Sequence, residues 1–440
     1  MRKFPEYCAA VLGRVIFIGF GVQIVLGILW MCNAFARLDS LGEGIVCVCQ
    51  IAALGAAVCF FAGAVRGRAF AVLSVLTFPM VTQCLVQPDM RVFASALLLV
   101  ETGCVLRVME QRERGLFWYA GLCAWLAAAL LRGEYLFIGA VPMVFLLLYD
   151  CVHAVRSRRE RRENAPKGLD GIRRESGQNG QMLRSLLYRL LLLCAVAGLA
   201  AGIGSFYQKR EKLLTHMTSR VAWTTLYNTY ADLPDETKKL IKYRDMVEST
   251  YEATGIETVL RPSLEKQLGE REAEAVLRAL IRTVWQKNKG QILKETVWDM
   301  AGYLAAPAVL PLQLRGRAYE SYSGSNYLQI LKPAPRLGRF YMDYGCKWFM
   351  AVSLLGLWTV LALGAARCLS GGRILRDGSF WRKAGLLSVT ALGMSAGYTL
   401  SGAGRMDYKN TLFVLCVWVL WAASAGARGV MGGKPDEKER

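Results

Sequence analysis

The chain has 440 residues, 54% of them hydrophobic, and a mean hydropathy of +0.29, yet 54 Lys and Arg outnumber 34 Asp and Glu for a net charge of +20. That combination excludes an ordinary soluble globular domain. It also argues against a nucleic-acid partner, which expects a basic face on a soluble fold with aromatic residues for stacking.

A membrane-spanning helix needs about 20 mostly apolar residues. Such stretches lie near 11–33, 45–65, 69–87, 92–109, 116–131, 135–153, 186–206, 346–366, 384–402 and 411–427. They predict an all-α fold, a polytopic bundle of about ten spans with a mostly helical domain outside the bilayer. The corresponding organisation is a six-span block over 1–153, a basic linker over 154–185, a seventh span over 186–206, an extracytoplasmic domain over 207–345, spans eight to ten over 346–428 and a tail over 429–440.

Charge sets the orientation. Arg2, Lys3 and Arg14, then Arg66 and Arg68, then Arg107, Arg112 and Arg114 fall on one side of the alternating spans. The cluster from Arg156 to Arg189, the run from Arg367 to Lys383 and the tail from Arg428 fall on the same side. The opposite connections hold Arg37, Arg91, Arg132, Arg405 and Lys409, matched by Asp39, Glu43, Asp89, Glu134 and Asp407. The positive-inside rule then places both termini in the cytoplasm and 207–345 outside, in a multi-pass protein of the plasma membrane with lipid as its first partner.

The stretch SRRERRENAPKGLDGIRRESGQNGQ from Ser157 to Gln181 is charged and poor in apolar residues, so it reads as a disordered linker that touches anionic lipid. The 13 cysteines sit almost entirely in or beside apolar stretches, where they serve as small fillers, and 207–345 contains none.

Within 207–345 the period is helical. Leu240, Val247 and Tyr251 follow the start signal Pro234–Asp235. Ala273, Val276, Leu277, Leu280, Ile281, Val284 and Trp285 form a second window, with Glu270, Glu272 and Glu274 at its N-terminal end complementing the helix dipole. A third window carries Ile292, Leu293, Val297, Trp298 and Met300. Pro307, Pro311, Pro333 and Pro335, with three interspersed glycines, then exclude a regular helix, and Tyr319, Tyr322 and Tyr327 suit an irregular cover at headgroup level.

His153 and His216 are the only histidines and fall on opposite sides, which excludes a multi-histidine metal site. No phosphate loop, nucleophile elbow or zinc-protease motif is present. What remains is acid and arginine chemistry at the outer face. Transfer from a lipid-linked phosphosugar needs a carboxylate as general base and cations to hold the departing phosphate, for which the planar fork of arginine is suited. Arg91, Arg132, Arg405 and Lys409 are the candidate phosphate ligands and Asp39 or Glu43 the candidate base, with Asp89 and Glu134 the other acids of these connections; the same short connections are also where any membrane protein keeps wet charges. Glu101 falls about ten residues into its span, near the bilayer midplane at about 1.5 Å per residue. There it must be paired, protonated or facing water, as a neutral structural acid or as part of a proton or substrate path.

LLRGEYLF at Leu130–Phe137, WDMAGYLAAP at Trp298–Pro307 and SYSGSNY at Ser321–Tyr327, in a multi-span layout with an outer domain, resemble the GT-C superfamily of membrane glycosyltransferases, in particular the bacterial protein-mannosyltransferase-like family 39. The resemblance implies a polyprenyl-phosphate sugar donor and a glycan or protein acceptor. It implies a catalytic acid in the first outer loop, here Asp39 or Glu43, and Arg132 on the donor phosphate. Glu134 and the tyrosines Tyr319, Tyr322 and Tyr327 would then meet acceptor or lipid. No organic cofactor is implied, and a divalent cation is compatible without being indicated. The first loop departs from the family, because ARLDSLGEG is short and lacks an adjacent Asp–Glu pair. Two other functions fit the same layout: a transporter or flippase of a lipid-linked substrate, suggested by Glu101, and a non-catalytic envelope assembly protein derived from the transferase fold.

Overall fold

The computed structural model describes residues 3–35, 38, 40–63, 67–110, 114–164, 187–202, 231, 233, 235–241, 260–291, 293, 294, 297, 300, 378–400 and 412–430. Among them the structure is all-helical, with no strand. In chain order the helices are α1 (Lys3–Phe35), α2 (Leu41–Ala62), α3 (Arg68–Leu76), α4 (Pro79–Leu85), α5 (Met90–Met109), α6 (Arg114–Leu131) and α7 (Tyr135–Asn164). There follow α8 (Leu187–Gly202), α9 (Asp235–Leu240), α10 (Arg261–Leu268), α11 (Glu270–Lys287), α12 (Gly378–Leu400) and α13 (Leu412–Val430).

Local chemistry sets several boundaries. Ser40 caps α2 by accepting a hydrogen bond from the Glu43 amide at 3.2 Å, the spacing of a capping box. Asp89 caps α5, its Oδ1 accepting from the Arg91 amide at 2.9 Å. Gly269, at φ 80°, separates α10 from α11 in a conformation that a side chain disfavours.

Three described helices are long and apolar enough to cross a membrane: α2, α5 and the Tyr135–Val152 part of α7. Gly13–Leu29, Gly115–Leu131, α8 and Leu412–Ser424 are shorter apolar stretches. Along α1 one apolar side is exposed, through Val11, Val15, Ile18, Val22, Val25 and Leu29. A face of this kind, exposed among the described residues, suits contact with lipid.

The stretch read as a third span, 69–87, is not one helix. It breaks between α3 and α4 at Thr77–Phe78, because Pro79 lacks an amide and excludes helical geometry from the residue before it. The break is buried, so its freed carbonyls need donors. Thr82 Oγ1 donates to the Leu76 carbonyl at 2.9 Å, and Gln23 Nε2 of α1 donates to the Ser74 carbonyl at 2.8 Å. A Cβ on Gly27 would stand 2.7 Å from the Thr77 carbonyl oxygen, so α1 approaches the break closely only because that residue is glycine.

Helix α5 occupies the centre, packed against α2, α6 and α7, with buried residues from Val92 to Met109. The last helix returns to the beginning of the chain: α13 packs on α1 and α3. Contacts among the described helices thus join helices on both sides of the linker. Helix α12 lies antiparallel to α7, with Gly397 against Ile138, Gly393 against Val141 and Gly385 against Phe145. Gly393 and Gly397 form a GxxxG pair, whose missing side chains let two helices meet at short range. At its C-terminal end α7 continues to Asn164, into the segment read as the linker.

The helices alternate between two ends of the bundle. The α1–α2, α4–α5 and α6–α7 connections share the first end. At the second, Lys383 Nζ of α12 lies 2.6 Å from Glu110 Oε1 after α5, and Arg189 of α8 pairs with Asp150 of α7. Helices α9–α11 form their own small core from Leu233, Ile241, Leu260, Leu264, Ala273, Leu277, Leu280 and Val284. The amphipathic α11 window is as the sequence predicts. Of the first window only α9 is described, and Val247 and Tyr251 lie outside the described residues. The chain after α11 meets the bundle at Met300, whose carbonyl accepts from Ser395 Oγ of α12 at 2.9 Å.

Candidate functional site

The first end of the bundle carries the candidate site. Helices α6 and α7 are joined by Arg132, Gly133 and Glu134 alone. The Arg132 amide still donates to the Ala128 carbonyl and the Tyr135 amide to the Arg132 carbonyl, both at 3.0 Å, so the turn is nearly continuous with the two helices. This tight turn aims Arg132 and Glu134 together. Arg132 Nε donates to both Glu134 carboxylate oxygens, at 3.2 and 3.3 Å, and Nη2 donates to Oε1.

The second contribution comes from the α4–α5 connection. Arg91 Nε donates to Asp89 Oδ1 at 3.3 Å, and the Asp89 carbonyl accepts from Gln50 Nε2 of α2 at 2.7 Å, which fixes the connection to its neighbour. The two pairs sense each other. Burial raises the carboxyl pKa of Glu134, but the hydrogen bond and charge of Arg132, its own backbone and the charge of Arg91 outweigh this and hold the carboxyl below its ordinary value. Burial works against the charge of Arg132, and Glu134, helped by Tyr398 and Asp89, holds the guanidinium above its usual value. Two cations and two carboxylates thus share one half-buried patch.

Beneath the patch lies a line of buried hydroxyls. Tyr398 of α12 donates to the Tyr135 hydroxyl at 2.8 Å, and Tyr135 shares a 3.0 Å hydrogen bond with Ser95 of α5. The tyrosine rings meet edge to face, with centroids 6.1 Å apart. Trp125 of α6 donates Nε1 to the Tyr135 and Leu136 carbonyls at 3.2 and 3.1 Å, which fixes the first turn of α7 under Glu134.

Of the residues singled out from sequence, Arg91, Arg132 and Glu134 come together here. Glu43 does not join them: it is exposed in the first turn of α2, about 10 Å along the axis from Gln50 at about 1.5 Å per residue. Its position is accounted for by helix initiation. Asp39, Tyr319, Tyr322, Tyr327, Arg405 and Lys409 lie outside the described residues. Glu101 is fully buried and lies in the same three-helix junction of α5, α6 and α7, within 2.9 Å of the place a Cβ would take on Gly139. Sequence reasoning passed over Ser95, Tyr135 and Tyr398. Their signal was a polar tip inside an apolar run, which a buried tyrosine needs to partner.

Among the described residues no group of three or more His, Cys, Asp or Glu side chains is placed to hold a metal ion. Compared with protein-family models, with curated proteins and with solved structures, the chain matches none of them.

Proposed function

We propose that the chain is a multi-pass membrane protein of about ten spans, with both termini cytoplasmic and the first end of the bundle facing outward, and that it transfers a sugar from a polyprenyl-phosphate donor to an outer glycan or protein, as the GT-C resemblance implies. The observation that carries the reading is the convergence of Arg91 and Arg132 with Asp89 and Glu134 where several apolar helices end.

In this reading the arginines hold the donor phosphate. Arg132 at rest is engaged by Glu134, and an arriving phosphate, with more charge and more acceptor oxygens, competes for the same fork. Once Arg132 turns to the phosphate, Glu134 is relieved of its cation and becomes the stronger base. It accepts the acceptor hydroxyl proton as the oxygen attacks the anomeric carbon, the carbon–oxygen bond to phosphate breaks, and the electron pair leaves on the phosphate held by the arginines. Asp39 and Glu43 are the rival bases that the resemblance implies. Arg405 and Lys409 supply further positive charge, and Tyr319, Tyr322 and Tyr327 meet acceptor or lipid.

The test is sugar release from polyprenyl-phosphate sugars by purified protein in lipid. Arg132→Ala lowers turnover by about 10²-fold or more, and Glu134→Gln by about 10²- to 10⁴-fold. If Asp39→Asn or Glu43→Gln abolishes turnover while Glu134→Gln does not, the base is in the first loop. Turnover indifferent to Arg91→Ala and Arg132→Ala rejects the site, and no turnover with any donor favours the non-catalytic assembly protein. For orientation, a cysteine placed at Lys238 labels with an impermeant thiol reagent on intact cells; labelling only after lysis reverses it.

A transporter is the second reading, favoured by the buried break between α3 and α4, since interrupted helices inside a bundle are a common transporter device. Substrate movement without sugar release decides for it.

A further inference from the structure

Glu101 is a carboxyl group that the transfer reading does not use. It is fully buried, and among the described residues neither of its oxygens has a hydrogen-bond partner. An ionised carboxylate in that position would forgo water without gaining a cation or a donor, a cost far above that of taking up a proton. The group is hemmed in by Gly139 of α7 and the Trp125 indole of α6. The Cβ position of Gly139 is 2.9 Å from Glu101 Oε2 and 3.0 Å from Trp125 Nε1. That indole is committed to the Tyr135 and Leu136 carbonyls rather than to the acid.

The surroundings differ along the bundle axis. Toward the second end Glu101 is followed by an apolar cluster of Val105, Val108, Met109, Trp118, Leu122 and Leu146. Arg107, the next cation on α5, donates to the Phe60 carbonyl at 2.8 Å with its guanidinium over the Phe60 ring, away from the acid. Toward the first end Gly139 is one helical turn from Tyr135, whose hydroxyl joins Ser95 and Tyr398 below the ion pair of Arg132 and Glu134. Cys104 lies one turn from Glu101 on α5, and the charged groups of the helices packed against α5, among them Glu43 on α2, Arg114 on α6, Asp150 on α7 and Lys383 on α12, stand toward the two ends of the bundle, where Asp150 pairs with Arg189 and Lys383 with Glu110.

We propose that Glu101 is a proton-binding site, filled and emptied from the first end of the bundle by way of the Ser95, Tyr135 and Tyr398 hydroxyls. The proton is carried as a carboxylic acid and leaves through water entering between Glu101 and Ser95, six residues apart on α5, to hydroxyl groups that each accept one proton and pass on another, with Glu134 or bulk water as the terminal acceptor. The proposal is independent of the transfer reading and holds for a transporter as well.

The test uses the whole protein in lipid at neutral pH. Dicyclohexylcarbodiimide, an apolar reagent for protonated carboxyls, labels Glu101 in peptide mass mapping, and infrared spectra show a carboxylic-acid carbonyl band that Glu101→Gln removes. After transfer to deuterated water that band shifts, and Tyr135→Phe with Tyr398→Phe slows the shift by at least about tenfold, a barrier rise of about 1.4 kcal/mol. Ser95→Ala, a smaller change, slows it in the same sense. An unlabelled Glu101 with no such band shows an ionised group and overturns the proposal. A band whose exchange is the same in Ser95→Ala and in the double phenylalanine variant overturns the route.

Discussion

Gly139→Ala tests the three-helix junction beneath the candidate site without reference to function. The added methyl carbon would stand 2.3 Å from Trp125 Cδ1 and 2.9 Å from Glu101 Oε2, where an ordinary contact is 3.4 Å or more. Glu101 Oε2 is the tip of a flexible side chain that can shift, so the Trp125 ring sets the cost. Trp125 is held by its bonds to the Tyr135 and Leu136 carbonyls, so displacing the ring by about 1 Å weakens a net contribution of about 0.5–1.5 kcal/mol per hydrogen bond. Overpacking itself costs about 1–3 kcal/mol in a filled core. Together these give a loss of about 2–4 kcal/mol. Gly121→Ala is the matched control, because its added carbon meets the flexible tip of Met143, Cε at 2.8 Å, which can swing aside. The assay is denaturant unfolding of both variants in mixed micelles, followed by tryptophan fluorescence. Equal stability of the two variants refutes the packing argument.

Thr82→Val removes the hydroxyl that donates to the Leu76 carbonyl at the α3–α4 break and leaves that acceptor buried, for a loss of about 1–3 kcal/mol in the same assay. Ser40→Ala removes the cap of α2 and costs about 1 kcal/mol, read as lost helicity or earlier unfolding. Because Glu134 titrates below its unfolded value, its ion pair stabilises the fold above the unfolded carboxyl pKa of about 4.3, and the contribution fades as pH falls through the lower folded value. Stability measured from pH 6 to about pH 3 therefore falls in the wild type, and Arg132→Ala flattens the part of that slope due to Glu134; an unchanged slope contradicts the pairing.

The sequence made parts of this architecture legible and concealed others for physical reasons. Helix α11 was readable because its apolar residues recur with the helical period and its acids stand at the N-terminus, both local signals. The broken helix was concealed by its hydropathy, since a window average over 69–87 does not register that Pro79 interrupts hydrogen bonding. The GxxxG of Gly393 and Gly397 is present in the sequence, but its partner surface at Ile138 and Val141 lies far away in the chain, and pairing of that kind leaves no periodic trace. Arg91, Arg132 and Glu134 were found because charges between apolar runs are conspicuous. Ser95 and Tyr398 were missed because a hydroxyl in an apolar run resembles a filler until its partner is known.

The late helices complete what the early ones begin. Tyr135 stands at the start of α7, yet one of its two hydroxyl partners, Tyr398, is supplied by α12, and α13 closes against α1 and α3. The hydroxyl line under Arg132 and Glu134 is therefore unfinished until almost the whole chain has been made and packed. A fragment ending before α12 leaves the Tyr135 hydroxyl with Ser95 alone and exposes Ile138 and Val141, the side chains that meet Gly397 and Gly393. Burial of the α7–α12 contact and assembly of the polar line are thus one event. Gly397→Leu, which drives a side chain into Ile138, should loosen the site as well as the contact, a coupling visible as increased solvent exchange at Tyr135. If Gly397→Leu separates the helices while leaving the Tyr135 hydroxyl as protected as before, the site is assembled by α5 and α7 alone and the C-terminal helices serve another purpose.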